Sequence, residues 1–270
     1  MAHPSAKSIQ DLNQAISNNS EFDAVIVISP DASYPDNNTL QSVLTDAANI
    51  DQRLGNQAVL IHSSEIAGGR LIHSPTGSLK KDYDDVRNFA DAAKKAATIA
   101  KDAGAKNLLM VVSGVPNSSD YQFALESCYL GACQALWQPL EARQSLTESE
   151  IEPVQTIGLF DADNRVDCDY LNAAEAGRRV ARDLCGTEPE RMAPIGFAGY
   201  CANEFSDSAV NINVIADREH IAKEYPLFEA VARASYAVER HHPRIMELSD
   251  QGKGPIKKTL MLVGKAVTYD

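Results

Sequence analysis

The chain has 270 residues, 44% hydrophobic and 23% charged, an ordinary globular composition with ample material for a core. Its formal net charge of −12 repels phosphate backbones, and the longest basic runs are pairs such as Lys94-Lys95, so nucleic-acid binding is not expected. No apolar run reaches transmembrane length and the amino terminus has no apolar signal core, which predicts no membrane partner and a cytoplasmic protein.

The first strand signal is Phe22 to Ser29, β-branched, apolar on both faces at its centre and stopped by Pro30. A polar stretch leads to a helical pattern at 40–54. Ala58 to His62 and Arg70 to His73 read as a hairpin around Gly68-Gly69. Asp82 to Ala103 is the clearest helix. Val86, Phe89, Ala90, Ala93, Ala97 and Ala100 make its apolar stripe, three aspartates crowd its start, and Gly104 stands at a capping position. Asn107 to Val112 predicts a buried strand. Ser119 to Trp137 predicts a helix stopped by Pro139. A polar, acidic stretch at 144–153 precedes a strand at 155–160. This order suits a three-layer α/β domain.

After an aspartate-rich loop, a second unit is expected to begin near Asp169. Leu171, Ala173, Gly177, Val180, Ala181 and Leu184 should line one side of its first helix, which Gly186 caps. Pro194 opens another helix. Val210 to Val214 alternates like a half-buried strand, and 217–232 is helical with a break or kink at Pro226. Thr259 to Val263 is apolar on both faces, as in the middle of a parallel sheet. Such a strand needs neighbours that the preceding hundred residues do not supply, so the second domain reads as unfinished. The expected domains are 1–165 and 166–270.

The five cysteines form no C-x-x-C pair, and most sit among helical patterns, where a free cysteine reads as a small buried hydrophobe. His241-His242 invites a metal reading, but adjacent residues of an extended segment point opposite ways. Ala67-Gly68-Gly69 lacks the Lys-Ser/Thr of a phosphate loop and reads as a tight turn. The chemistry concentrates in Leu262-Val263-Gly264-Lys265-Ala266-Val267-Thr268-Tyr269-Asp270. Ligands of open α/β sheets gather at the carboxyl ends of strands, where Lys265 and Asp270 would lie. From spacing alone, both also suit a solvated strand end.

That segment resembles the V-G-K-G-[IV]-T-[FY]-D signature of the leucyl (cytosol) aminopeptidases, dinuclear-metal peptidases, and of a variant branch related to them. Arg178 to Leu184 is similar to their a-R-d-L helix. Glu188 to Pro194 with Phe197-Ala198 resembles their t-P-a-n-e-m-t-P…f-A segment. Pro243 to Leu248 is similar to their P-x-l-i-e-L strand. The first half, including Thr76-Gly77 and 131–140, fits more loosely. The resemblance implies an amino-terminal domain of macro-domain-like fold followed by the start of an α/β catalytic domain. It implies removal of amino-terminal residues from peptides by a water activated between two divalent metal ions, Zn²⁺ or Mn²⁺. By motif position Lys265 and Asp270 would be metal ligands, and no directly catalytic residue is assigned. It further implies a homo-hexamer of two trimers and a peptide substrate. Ala266 departs from the usual glycine, Arg191 stands where an acid is common, and Glu188 where proline is. The family's remaining ligands and catalytic lysine and arginine would lie beyond Asp270, so the 270 residues alone are expected to be inactive. The alternative is a decayed member serving assembly or binding.

Overall fold

The computed structural model describes residues 3–266. The chain divides into two compact units, one holding residues up to 138 and 142–179, the other 139–141 and 180 onward.

The first unit is built on a six-stranded sheet. Its elements in chain order are β1 (Ser5–Ile9), α1 (Leu12–Ala15), β2 (Ala24–Ser29), α2 (Asn38–Ala48), β3 (Val59–His62), β4 (Arg70–Pro75), α3 (Arg87–Asp102), β5 (Asn107–Val112), α4 (Ala124–Leu136), α5 (Leu140–Arg143, which straddles the unit boundary), α6 (Glu148–Ile151), β6 (Thr156–Phe160) and the start of α7 (Cys168–Gly186). The strand order is β1-β6-β5-β2-β4-β3, parallel throughout except for β3, which turns back on β4. β2 is central and buried at every position, as its run of β-branched residues requires. Alternation along β2 sends Ala24, Ile26 and Ile28 to one face, where α3 and α4 cover them, and Val25 and Val27 to the other, under Leu40 and Leu44 of α2. The result is the three-layer α/β arrangement anticipated above.

Local signals explain the ends of the elements. Asn37 caps α2 by accepting the Leu40 N–H at 3.1 Å. Gly104 follows α3 at φ +80°, a conformation that costs glycine nothing. α3 starts at Arg87 rather than Asp82. Asp84 instead accepts the Lys81 N–H and Asp85 the Arg87 N–H, at 2.9 Å each, so these acids fold the preceding turns. β1 escaped the sequence reading because Ser5-Ala6-Lys7-Ser8-Ile9 is polar. It is an edge strand, pairing in parallel with β6 alone.

The second unit holds the end of α7, then α8 (Pro194–Glu204), β7 (Asn211–Ile215), α9 (Arg218–Glu224), α10 (Pro226–Ala232) and β8 (Ile245–Ser249). Pro226 ends one helix and takes the first turn of the next, where no N–H is needed. β7 and β8 form a two-stranded antiparallel ribbon. The expected central strand at 259–263 is corrected by the structure. Residues 250–266 have no regular structure, and Leu262 and Val263 are 83% and 91% exposed. Apolar β-branched residues favour extended backbone, but a strand exists only where neighbouring strands take up its N–H and C=O groups.

Candidate functional site

α7 displays the strongest local chemistry. The face it buries is Leu171, Glu175, Arg179, Asp183 and Thr187 just beyond its end, whereas Ala173, Gly177 and Ala181 are exposed. The apolar stripe expected along this helix is therefore wrong by nearly half a turn, and of its residues Leu171 alone is buried. Spacing of alanines and leucines suggested one face, but the charged residues at four-residue intervals occupy the buried one because they are paired. Arg179 Nε donates to Glu175 Oε1 at 3.1 Å, and its Nη atoms donate to the carboxylate of Glu152, just before β6. Burial opposes the charge on Arg179, but hydrogen bonds and attraction from Glu152 and Glu175 outweigh it and hold its pKa above the ordinary guanidinium value. In the second unit, the Tyr200 hydroxyl donates to Asp183 Oδ2 at 2.6 Å. The Glu175–Arg179 spacing was legible; its burial was not.

The adjacent histidines diverge as expected. His241 Nε2 lies 2.8 Å from Glu190 Oε1, while His242 Nε2 lies 3.2 Å from the Tyr236 carbonyl oxygen. Glu190 also accepts from Arg240. Those two partners, Arg240 foremost, hold its carboxyl below the usual range. Ala67-Gly68-Gly69 is a tight turn: a Cβ on Gly68 would come within 2.0 Å of the Asp23 carbonyl oxygen. Burial pushes the thiols of Cys128, Cys168 and Cys201 up, which disfavours the nucleophilic thiolate.

Lys265 is exposed within the irregular 250–266 segment, and Asp270 lies outside the described residues. Among the described residues no three His, Cys, Asp or Glu side chains stand together to hold a metal ion. No helix among them is long and apolar enough to cross a membrane.

Residues 179–270 match the cytosol aminopeptidase family, catalytic domain. A Caenorhabditis elegans protein named as an aminopeptidase is 31% identical over 258 residues, covering 92% of this chain and 49% of that protein. A Synechococcus protein named as a cytosol aminopeptidase is 24% identical, covering 84% of this chain and 45% of its own. The chain thus spans about half the length of these relatives. Among solved structures, a tomato leucine aminopeptidase mutant superposes with a TM-score of 0.69 at 16% identity, covering 96% of this chain and 53% of its own. The bottromycin maturation enzyme BotP in complex with Mn gives 0.53 at 15% identity, covering 84% and 45%. At such identities the superpositions speak to fold.

Proposed function

From the premise that residues 179–270 are catalytic-domain sequence of the cytosol aminopeptidase family, we propose that the protein is a metal-dependent aminopeptidase. It would remove amino-terminal residues from peptides. The observation that carries this reading is the segment Val263 to Asp270, which keeps the lysine and aspartate of the metal-binding signature inside the matched region. Lys265, as the neutral amine, and Asp270, with its hard carboxylate oxygens, would contribute to holding divalent cations, Zn²⁺ or Mn²⁺ in a pair. Bound there, the metals would polarise the scissile carbonyl and supply a nucleophilic water. Residues 1–165 would form the macro-domain-like part and residues 166–270 the start of the catalytic domain. Assembly as a homo-hexamer in the cytoplasm belongs to the same reading.

The test is hydrolysis of a leucine chromogenic substrate by the full-length protein with Mn²⁺ or Zn²⁺ added, beside its Lys265→Ala variant. Metal-dependent turnover lost in the variant supports the proposal. Equal turnover in both removes Lys265 from the site. No turnover with either metal favours the second reading, a decayed member with an assembly or binding role. Ala266, in place of the signature's second glycine, is the observation on that side.

A further inference from the structure

In the first unit, buried polar side chains collect at the carboxyl ends of β2 and β4: Ser29, His73, Ser74 and Thr76, with Asn37 close by in sequence to the loop that leaves β2. His73 is fully buried. It sits opposite Val27 of β2 on one side and Val59 of β3 on the other. It lies two residues from Leu71 and therefore on the same face of the sheet, the one packed under α2. Its Nε2 is 3.0 Å from the Asp31 carbonyl oxygen and 3.1 Å from Ser29 Oγ. The Ser29 hydroxyl itself donates to that same carbonyl. The proton that satisfies this arrangement is on Nε2, pointing to the Asp31 oxygen. Nδ1 is then a bare lone pair, and among the described residues it has no hydrogen-bond partner.

We propose that His73 and the 30–37 loop form an acid-sensitive latch over the carboxyl ends of β2 and β4, closed while the imidazole is neutral and opened when it takes up a proton. The neutral ring uses Nε2–H to pin the loop at Asp31. The protonated ring carries a second N–H at Nδ1, aimed where no acceptor is found, and places a charge in an apolar layer. The strands cannot move without breaking their ladders. The loop is held by fewer bonds, chiefly Tyr34 N–H to Gln41 Oε1 at 2.7 Å and Asn37 Nδ2 to Asn13 Oδ1 at 2.8 Å. Burial holds the His73 pKa below the ordinary value, and the hydrogen bond to Asp31 and the charge of Asp31 only partly oppose it.

The surrounding elements offer little else to a cation. β2 carries no titratable group, β3 only His62 at its far end, and α2 only the exposed Asp46. The loop contributes Asp31, Tyr34 and Asp36, and burial pushes the Tyr34 phenol up to about 12, so it stays neutral. The neighbouring 51–55 turn approaches Ala32 at Gly55, and its Asp51 and Arg53 neutralise each other. On β4 itself, Arg70 lies at the opposite end of the strand.

The sign follows from linkage. A histidine depressed in the closed state stabilises that state above its ordinary pKa, and the stabilisation fades as pH falls below it. With the open ring titrating at an ordinary value of about 6.5 and the closed ring staying neutral, lowering the pH from about 7.5 to about 5.5 should raise the open fraction about tenfold. The experiment is amide hydrogen exchange across 30–37, corrected for intrinsic amide chemistry, at those two pH values. It is run on the wild type and on His73→Gln, with β5 as the internal reference. About tenfold faster exchange in the loop, absent from His73→Gln and from β5, is the expected result. An unchanged loop, an equal response in His73→Gln, or a parallel rise in β5 would overturn the latch. If His73→Gln does not fold, ring resonances of His73 in the wild type decide. A ring still neutral well below the ordinary histidine pKa supports the proposal, and one that titrates normally with the loop closed overturns it.

Discussion

Arg179 and Glu175 face each other one helical turn apart on α7, Nε to Oε1 at 3.1 Å, and both side chains are 0% exposed. Glu152 completes the arrangement from outside the helix. Removing the cation would take the hydrogen bonds of Arg179 from two carboxylates, Glu175 and Glu152, and breaking a buried pair costs far more than the intact pair contributes. Arg179→Met should therefore lower unfolding free energy by about 3–5 kcal/mol in urea denaturation. Adding Glu152→Gln and Glu175→Gln to that variant should recover part of the loss. A variant as stable as wild type would mean that the carboxylates find other partners or protons.

Gly131 lets α4 lie against α3. A Cβ there would stand 2.4 Å from the Ala90 carbonyl oxygen and 2.8 Å from its Cα. Backbone cannot rotate aside, so the clash outweighs the roughly 1 kcal/mol that alanine gains over glycine in a helix. Gly131→Ala should destabilise by about 1–3 kcal/mol. Gly177 of α7 has nothing within 4 Å of such a Cβ, and Gly177→Ala should stabilise by roughly 0.5–1 kcal/mol. Thermal melts of the two variants should move in opposite directions.

Asp51 accepts Arg53 Nε at 2.9 Å and Nη2 at 2.6 Å, and its carboxyl is held at about 2, chiefly by those side-chain bonds. The folded pKa lies below the ordinary aspartate value of 3.8, so the pair is fully formed above that value and is lost as pH falls toward 2. In Arg53→Gln the guanidinium bonds vanish while the 2.9 Å bond from the backbone N–H of residue 53 is retained. The Asp51 carboxyl should then titrate higher, but still below a free aspartate. Carboxyl carbon shifts followed by NMR would measure both curves.

If Lys265 is a metal ligand, replacing it by arginine keeps a cation that does not deprotonate in the working range. In the full-length protein Lys265→Arg should reduce bound metal more than Lys265→Ala, which leaves a gap that water can fill. A lysine that is merely solvated predicts arginine tolerated and alanine nearly neutral. Metal content of the two purified variants separates these outcomes.

The sequence by itself determined the first unit's layered plan. β2, β4 and β5 carry short apolar runs and α3 and α4 carry apolar residues at helical spacing, and both signals were legible because those segments bury hydrocarbon. It also carried the signature that links residues 179–270 to a family. Only the tertiary structure decided which face of α7 turns inward, because Glu175, Arg179 and Glu152 lie far apart in hydrophobicity from a core yet become buriable once paired across 27 residues of chain. Only tertiary structure could reveal that His73 lies under the 30–37 loop, since its partners Ser29 and Asp31 are more than forty residues away. The same reason governs 259–263. Its residues favour an extended backbone, but pairing is a property of neighbours, and among the described residues none is in place.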